Sequence, residues 1–284
     1  MSIAATEPAQ PRTRMPAVRN CIAVLRALGS TTSPVSAGAL ARSLDIPRST
    51  TYQLLQVLVD EGLAVHVPGA AGYTLGDGVF ELGSAYSRRS SLANLAQPLL
   101  SRLSQAIGET ATLAILHGTD VLYLAKEQPP RPVPVASEPG VQLPSHLTAS
   151  GRALLAGLPR REVLAYFSDS KAFSTLNGSG PRSLRELREV LAGDAARGWS
   201  LEGDTVMEGV TCLSAAAYDR HGRPTAAVTA SFPTRRGEGR LPLITREVVR
   251  TADELTRRMG GQVPQRDESG TPSATTDSRA LHAR

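Results

Sequence analysis

Aromatic side chains are scarce in this chain: Phe, Tyr and Trp together make up 4% of it. Any core must therefore be filled mostly with Ala, Val and Leu. Cysteine is scarcer still, with Cys21 and Cys212 standing far apart in apolar sequence. Two distant thiols make neither a disulfide framework nor a structural zinc site, and the expected setting is a reducing cytoplasm. No apolar run approaches membrane-spanning length, and the opening MSIAATEPAQPRTR lacks the apolar core of a secretory signal. The 5 histidines are scattered, so no metal site is expected. No cofactor is expected either. There is no nucleophile elbow, no GxxxxGK phosphate loop and no HExxH. Nor is there a basic tail or dense basic block. The formal net charge of +5 suits a polyanionic partner, but folding would have to assemble any nucleic-acid footprint.

What the chain does have is length and periodicity. Its 284 residues, 41% hydrophobic and 20% charged, are enough for two modest cores. Residues 1–15 are polar and proline-containing and read as a disordered arm. In VRNCIAVLRALGS, the residues Val18, Cys21, Ile22, Leu25 and Leu28 fall at helical spacing, and Gly29–Ser30 stop the run. Two short helices follow. The first starts near Ser36, a suitable N-cap, and runs through Ala39, Leu40 and Leu44. After a turn at Asp45–Pro47, the second starts near Arg48–Ser49 and carries Leu54, Leu55, Leu58 and Val59 inward until Gly62. Val65 and Val67 then alternate, Gly69 to Gly72 turn the chain, and Tyr73 and Leu75 return it. Three helices followed by a hairpin give a winged helix-turn-helix over residues 16–76.

Residues 77–91, with Val79, Leu82 and Tyr86, read as a helical linker broken near Arg88–Ser91. A second domain, 92–260, opens on a helix marked by Leu92, Leu95, Leu99, Leu103 and Ile107. ATLAILHGT and DVLYLAKEQ predict a hairpin turned at Gly118–Asp120, followed by the proline-rich PPRPVPVASEPG. HLTASGRALLAGLP predicts a helix with Thr148 or Ser150 near its start, and RSLRELREVLAGDAARG a second. CLSAAAYDRHGRPTAAVTASFP reads as two strands turned at His221–Arg223, and LPLITREVVRTADELTRRMG as a closing helix. The fold class is α+β with an antiparallel sheet. The polar tail 261–284 reads as disordered.

In a helix-turn-helix, the second helix offers its first residues to the major groove. Here these are Arg48, Ser49, Thr50, Thr51, Tyr52 and Gln53, with Ser36 at the start of the preceding helix. Arg48 can donate to phosphate or guanine, Gln53 can pair with adenine, and the Thr51 methyl can meet a thymine methyl. Ser49 and Thr50 can hold phosphate or serve as ordinary caps.

The runs ALARSLDIPRSTTYQLLQVLVDEG and GYTLG, then LPSHLTASGRALLAGLP and GDTVMEGVTCLSAAAYDRHGRPTAAVTASFP, give the chain a wider resemblance. Over roughly residues 16–258 it resembles the IclR family of bacterial transcription regulators. The resemblance implies a GAF-like effector domain, a homodimer that often pairs into a tetramer, operator DNA as partner, and effectors that are small organic acids or aromatic metabolites. It further implies effector-binding positions at Ala149, Ser150, Glu202, Cys212, Thr229 and Ser231. The amides at a helix start suit a carboxylate. The sequence departs from the family pattern at Asn20 and Gln53, where Arg is common, and at Glu208 and Ala216, where Pro is common. The wing tip PGAAG carries no Lys or Arg.

Two other readings stand beside this one. A winged helix can bind protein, with the second domain serving to dimerise. Alternatively, Cys212, His146 and Glu202 could act as nucleophile, base and orienter in an enzyme. By residue type alone Cys212 also suits a core thiol, and His146 can orient a loop.

Overall fold

The structure, a computed structural model, describes residues 15–89, 91–169, 172–237 and 239–263, and for residues 85–91 no side chains. The expected disordered arm and tail fall outside these residues, apart from Met15 and 261–263. The chain divides into two units, residues 1–89 and 90–284.

The first unit contains α1 (Pro16–Gly29), α2 (Ala37–Leu44), α3 (Arg48–Asp60), β1 (Ala64–Val67), a 3-10 turn over 68–70, β2 (Gly72–Leu75) and α4 (Asp77–Arg89). Ser36 caps α2 by accepting from the Ala39 amide at 3.3 Å, as a helix start requires. Asp45 leaves α2 in the left-handed region, with φ 52°, and Ile46 then turns inward and is buried. Val24, Leu28, Leu40, Ile46, Leu55 and Leu58 make the core. Of the apolar residues at helical spacing in α1, Val18 and Ile22 are 48% and 45% exposed, and the inward line is Cys21, Val24, Leu25 and Leu28. The apolar surface of α1 is wider than the side that α2, α3 and β2 cover. Leu82 on α4 is likewise 65% exposed, and the Tyr86 side chain lies outside the described residues.

β1 and β2 pair antiparallel from Ala64–Leu75 to Val67–Gly72. Val35 adds a third rung by exchanging two backbone hydrogen bonds of 2.9 Å with Tyr73. The exit from β2 is tight. The Gly76 amide donates to Leu63 O at 2.9 Å, and a Cβ on Gly76 would stand 2.3 Å from Gly62 O.

The second unit runs α5 (Ser91–Ile107), β3 (Thr110–His117), β4 (Asp120–Glu127), β5 (Gln142–Pro144), α6 (Ala149–Ala156), α7 (Arg160–Tyr166), α8 (Leu184–Arg197), β6 (Ser200–Gly203), β7 (Val210–Tyr218), β8 (Pro224–Pro233), α9 (Thr234–Gly237) and α10 (Leu241–Arg258). Its six strands form one antiparallel sheet in the order β5-β4-β3-β8-β7-β6. The sheet has two unlike faces. Ala111, Leu113, Leu213, Ala215, Val228, Ala230 and Phe232 pack with α5 and α10 in the main core. The alternate positions lie on the side of α6, and the strand register aligns them in two polar rows. One row is Thr110–Ser231–Cys212–Glu202, and the other is Thr112–Thr229–Ser214–Ser200. Period-two alternation on each strand produces this division, with hydroxyls and a thiol on one side and methyls on the other. The short strand β6 has no alternation of its own to announce it, and it carries Glu202 into the sheet.

Gly76→Ala should force the β2–α4 junction apart and cost about 1–3 kcal/mol of unfolding free energy. Urea denaturation measures this, and a stability equal to that of the parent would contradict the close approach.

Candidate functional site

On α3, Arg48, Ser49, Tyr52 and Gln53 are exposed, with Tyr52 at 47%, and Thr50 is half-buried. Positions i, i+1, i+4 and i+5 share one face of a helix, so these four side chains form a single outward patch at its start. Thr51 does not join them. It is fully buried and its hydroxyl donates to Pro47 O at 3.2 Å, because the fourth residue of α3 turns toward the core. The thymine-methyl role expected of Thr51 is therefore withdrawn. Ser36 is engaged as the cap of α2. The structure adds Arg42, which sequence reasoning passed over: its guanidinium and that of Arg48 both come up beside Gly38. Two exposed guanidiniums so close together suit a phosphate backbone. In the wing, the rings of His66 and Tyr73 stand 4.8 Å apart.

In the second unit α6 begins against the polar face of the sheet. Thr148 caps it, accepting from the Gly151 amide at 3.0 Å. Gly151 is required there, since a Cβ would lie 2.2 Å from Ser145 O. A cavity with about 380 Å³ of empty space, mouth included, opens at this helix start. Of the expected residues, Ala149, Ser150, Glu202, Cys212 and Thr229 line it. Ser231 is not among the lining residues; its hydroxyl stands 3.3 Å from the Cys212 sulfur and supports the wall from behind.

Sequence reasoning took Thr148 only as a possible cap, and missed Tyr123, Ser137 and the apolar wall of Val135, Leu143, Val206, Met207 and Val210. Tyr123 was hidden by a β-bulge. The β3–β4 register shifts between Leu113 and Ala114, so Ala125 packs in the main core while Tyr123 packs on the side of α6. Simple alternation would have put both on one face. The Tyr123 hydroxyl lies 3.1 Å from that of Ser150.

The pocket wall is largely apolar, with a few polar groups. Burial pushes the Glu202 carboxyl above the usual carboxylate range, although its Oε2 accepts from the Thr205 amide at 3.3 Å. Burial, and then the Glu202 charge, push the Cys212 thiol up; burial does the same for the Tyr123 phenol. Among the described residues no Lys or Arg lines the cavity. Its donors are hydroxyls, a thiol and the first amides of α6. His146 is elsewhere: its Nε2 donates to Ser174 O at 2.9 Å, and Phe167 and Phe173 meet its ring edge-on. Burial lowers its pKa. It does not join Cys212 and Glu202 in the cavity.

Glu202→Gln tests the burial of this carboxyl. A raised folded pKa means that the ionised form is the one disfavoured on folding. The parent should therefore lose stability relative to the Gln variant as pH rises from about 4.3, the ordinary value for Glu in an unfolded chain, through the folded pKa. Melting temperatures across this range should diverge in favour of Gln at the high-pH end; parallel curves would contradict the shift.

The family model for the C-terminal region of bacterial IclR transcriptional regulators matches residues 84–257, and that for the IclR helix-turn-helix domain matches residues 17–68. The HTH-type transcriptional regulator BhcR of Paracoccus denitrificans is 31% identical over 231 residues, covering 80% of this chain and 81% of that protein. A crystal structure of a transcriptional regulator from Rhodococcus sp. RHA1 is 28% identical and superposes with a TM-score of 0.72, covering 86% of this chain and 98% of the other. An IclR homolog from Microbacterium hydrocarbonoxydans, complexed with 4-hydroxybenzoate, shares the fold at 20% identity and a TM-score of 0.73, with coverages of 86% and 99%. A helix-turn-helix match on the first unit and a C-terminal match on the second place this chain in the IclR family of bacterial transcriptional regulators.

Proposed function

We propose that this regulator reads operator DNA with the start of α3 and that a small organic acid or aromatic metabolite, held in the cavity at the start of α6, alters that binding. The observation that carries this reading is the pairing of an exposed polar helix start in one unit with a lined cavity in the other. Arg48, Ser49, Tyr52 and Gln53 would meet base edges and phosphates, with Thr50 at the margin and Arg42 on phosphate. Ser36 would contribute its position at the start of α2.

Ala149 and Ser150 would offer amides to a carboxylate. Thr229, Ser150 and Tyr123 would take ligand oxygens, and Glu202 would accept a hydrogen bond from a ligand hydroxyl. Cys212 serves as a wall and Ser231 as its support. An aromatic acid would match the chemistry of these walls, and the 4-hydroxybenzoate complex of the Microbacterium relative is in keeping with that class. The protein would act in the cytoplasm as a homodimer or tetramer on a pseudo-palindromic site, and the ligand would shift the population that fits the DNA. A catalytic role is not proposed: a nucleophilic cysteine needs an accessible thiolate, and burial works against one at Cys212.

The test separates the two functions. Fluorescence anisotropy at fixed salt, on the DNA upstream of the gene, should show Arg48→Ala weakening binding by about 1–3 kcal/mol. Calorimetry should show its ligand affinity unchanged. Ser150→Leu and Thr229→Val should keep apo-protein DNA affinity and lose the response to ligand. Unaltered operator affinity in Arg48→Ala would remove α3 from the interface. Intact ligand binding in both pocket variants would place the ligand elsewhere.

A further inference from the structure

His146 lies two residues before the Thr148 cap of α6 and lines no part of the cavity, yet it is fully buried. What its ring holds is the connection into α8. Residues 173–183 carry no helix or strand, and Ser174 to Gly180 are exposed. Among the described residues, no backbone–backbone hydrogen bond joins 173–182 to the rest of the domain. The α8 end is fixed, since the Arg182 amide donates to Glu186 Oε2 at 2.8 Å and Ser183 caps the helix. Ahead of it, side chains hold the segment: His146 Nε2 donates to Ser174 O at 2.9 Å, and Asn177 Nδ2 donates to Asp204 O at 3.4 Å.

The segment crosses two stretches of chain that build the cavity. Gly180, with φ 94°, comes so close to Leu147 and Thr205 that a Cβ would stand 2.5 Å and 3.2 Å from their side chains. Leu147 precedes Thr148 and Thr205 precedes Val206, and both following residues line the cavity. The Thr205 amide also donates to Glu202. Residues 173–183 thus clasp the start of α6 to the β6–β7 turn. The Ser174 carbonyl can only accept, so Nε2 of His146 carries the hydrogen and the neutral ring leaves Nδ1 bare. Nδ1 is buried and has no partner among the described residues. A second proton would sit there unpaired and away from water, which is costly. Burial lowers the pKa of the ring and outweighs the Ser174 carbonyl and Asp120, which favour the cation. Asp120, at the start of β4, is the charged group that acts on the ring; the α7 side brings Phe167, and the clasp brings Phe173 and the carbonyl.

We propose that neutral His146 is a positioning residue for the ligand cavity: through Ser174 it holds the clasp on Leu147 and Thr205, and protonation of the ring releases the clasp and loosens both stretches of wall. That the cavity takes a ligand is the reading given above, and the purpose of the clasp rests on it. The released state takes up the proton more readily than the clasped one. The clasp is therefore fully held above about pH 6.5, the ordinary value for imidazole, and weakens as pH falls from there through the lower pKa of the clasped ring.

Hydrogen exchange of the full-length protein without ligand tests the clasp, read as protection factors corrected for the intrinsic pH dependence of exchange. From about pH 7 to about pH 5, protection of the amides in 147–152 and 204–210 should fall by up to about tenfold per pH unit, while α5 and α10 hold theirs. His146→Gln retains an N–H donor for Ser174 O without a titrating group, and its protection should stay flat. No fall in the parent, an equal fall in His146→Gln, or a fall shared by α5 and α10 would overturn the proposal. Should His146→Gln fail to fold, the contrast between these wall segments and α5 and α10 in the parent decides. With 4-hydroxybenzoate as the probe, calorimetry should show affinity falling further in the parent than in His146→Gln between about pH 7.5 and about pH 5.5. Glu202 titrates in both proteins, so the difference between them reports the imidazole. An equal fall in both would overturn the positioning role. A probe that binds neither protein would overturn the aromatic-acid reading of the cavity and not the clasp, which exchange tests on its own.

Discussion

The contact between Arg152 and Asp194 sets the position of α6, and the cavity depends on that position. Arg152 projects from α6, grips the buried carboxylate of α8 with two nitrogens and donates with Nη2 to Leu201 O of β6 at 2.8 Å. One side chain thus ties three elements together. Removing one partner from a buried ion pair typically costs about 3–5 kcal/mol, because the other charge is left uncompensated. The neighbouring Gly151 lets the same helix come down onto the Ser145 backbone. Fixed at these adjacent residues, α6 presents its capped start to the cavity.

The sheet beneath α6 divides its work by face. The side against α5 and α10 is built of Ala, Leu, Val and Phe and supplies the apolar burial that a domain with few aromatics needs. The opposite side gives up part of that burial. Its rows of Thr, Ser, Cys and Glu leave several hydroxyls to be satisfied by one another, as when Thr229 donates to Ser214 at 2.8 Å and Ser214 donates to Val228 O at 3.1 Å. Thr110, Thr112 and Ser200 have no such partner among the described residues. A polar floor of this kind is costly for stability and useful for recognition.

Much of this was legible in the sequence, for identifiable reasons. The caps at Ser36 and Thr148 and the hairpin turns at 118–120 and 221–223 are local signals, and local chemistry decides them. Ala149, Ser150, Glu202, Cys212 and Thr229 came from resemblance to the family, and the structure brings all five to one cavity. What was hidden depends on the tertiary arrangement. Alternation along β4 could not reveal the bulge that sends Tyr123 and Ala125 to opposite faces. Residue type could not show that Thr51 turns inward while Ser49 and Tyr52 face out. Helical spacing in α1 included Val18 and Ile22, which are exposed, because spacing counts apolar residues without knowing which side has a neighbour. Ser231 was placed in the cavity by the same resemblance, but it is not among the lining residues, and its hydroxyl stands 3.3 Å from the Cys212 sulfur.

The central claim is that the two units are coupled: a compound bound beside α6 changes what α3 does on DNA. The most direct measurement is a gel-shift titration of the full-length protein on the DNA upstream of its gene, repeated across a panel of carboxylic acids and aromatic metabolites. The account predicts a specific shift whose midpoint moves with at least one compound, and with Ser150→Leu no longer moves. The absence of any shift at low salt with folded protein would contradict the claim. A shift that stays fixed while calorimetry shows a compound bound in the cavity would also contradict it.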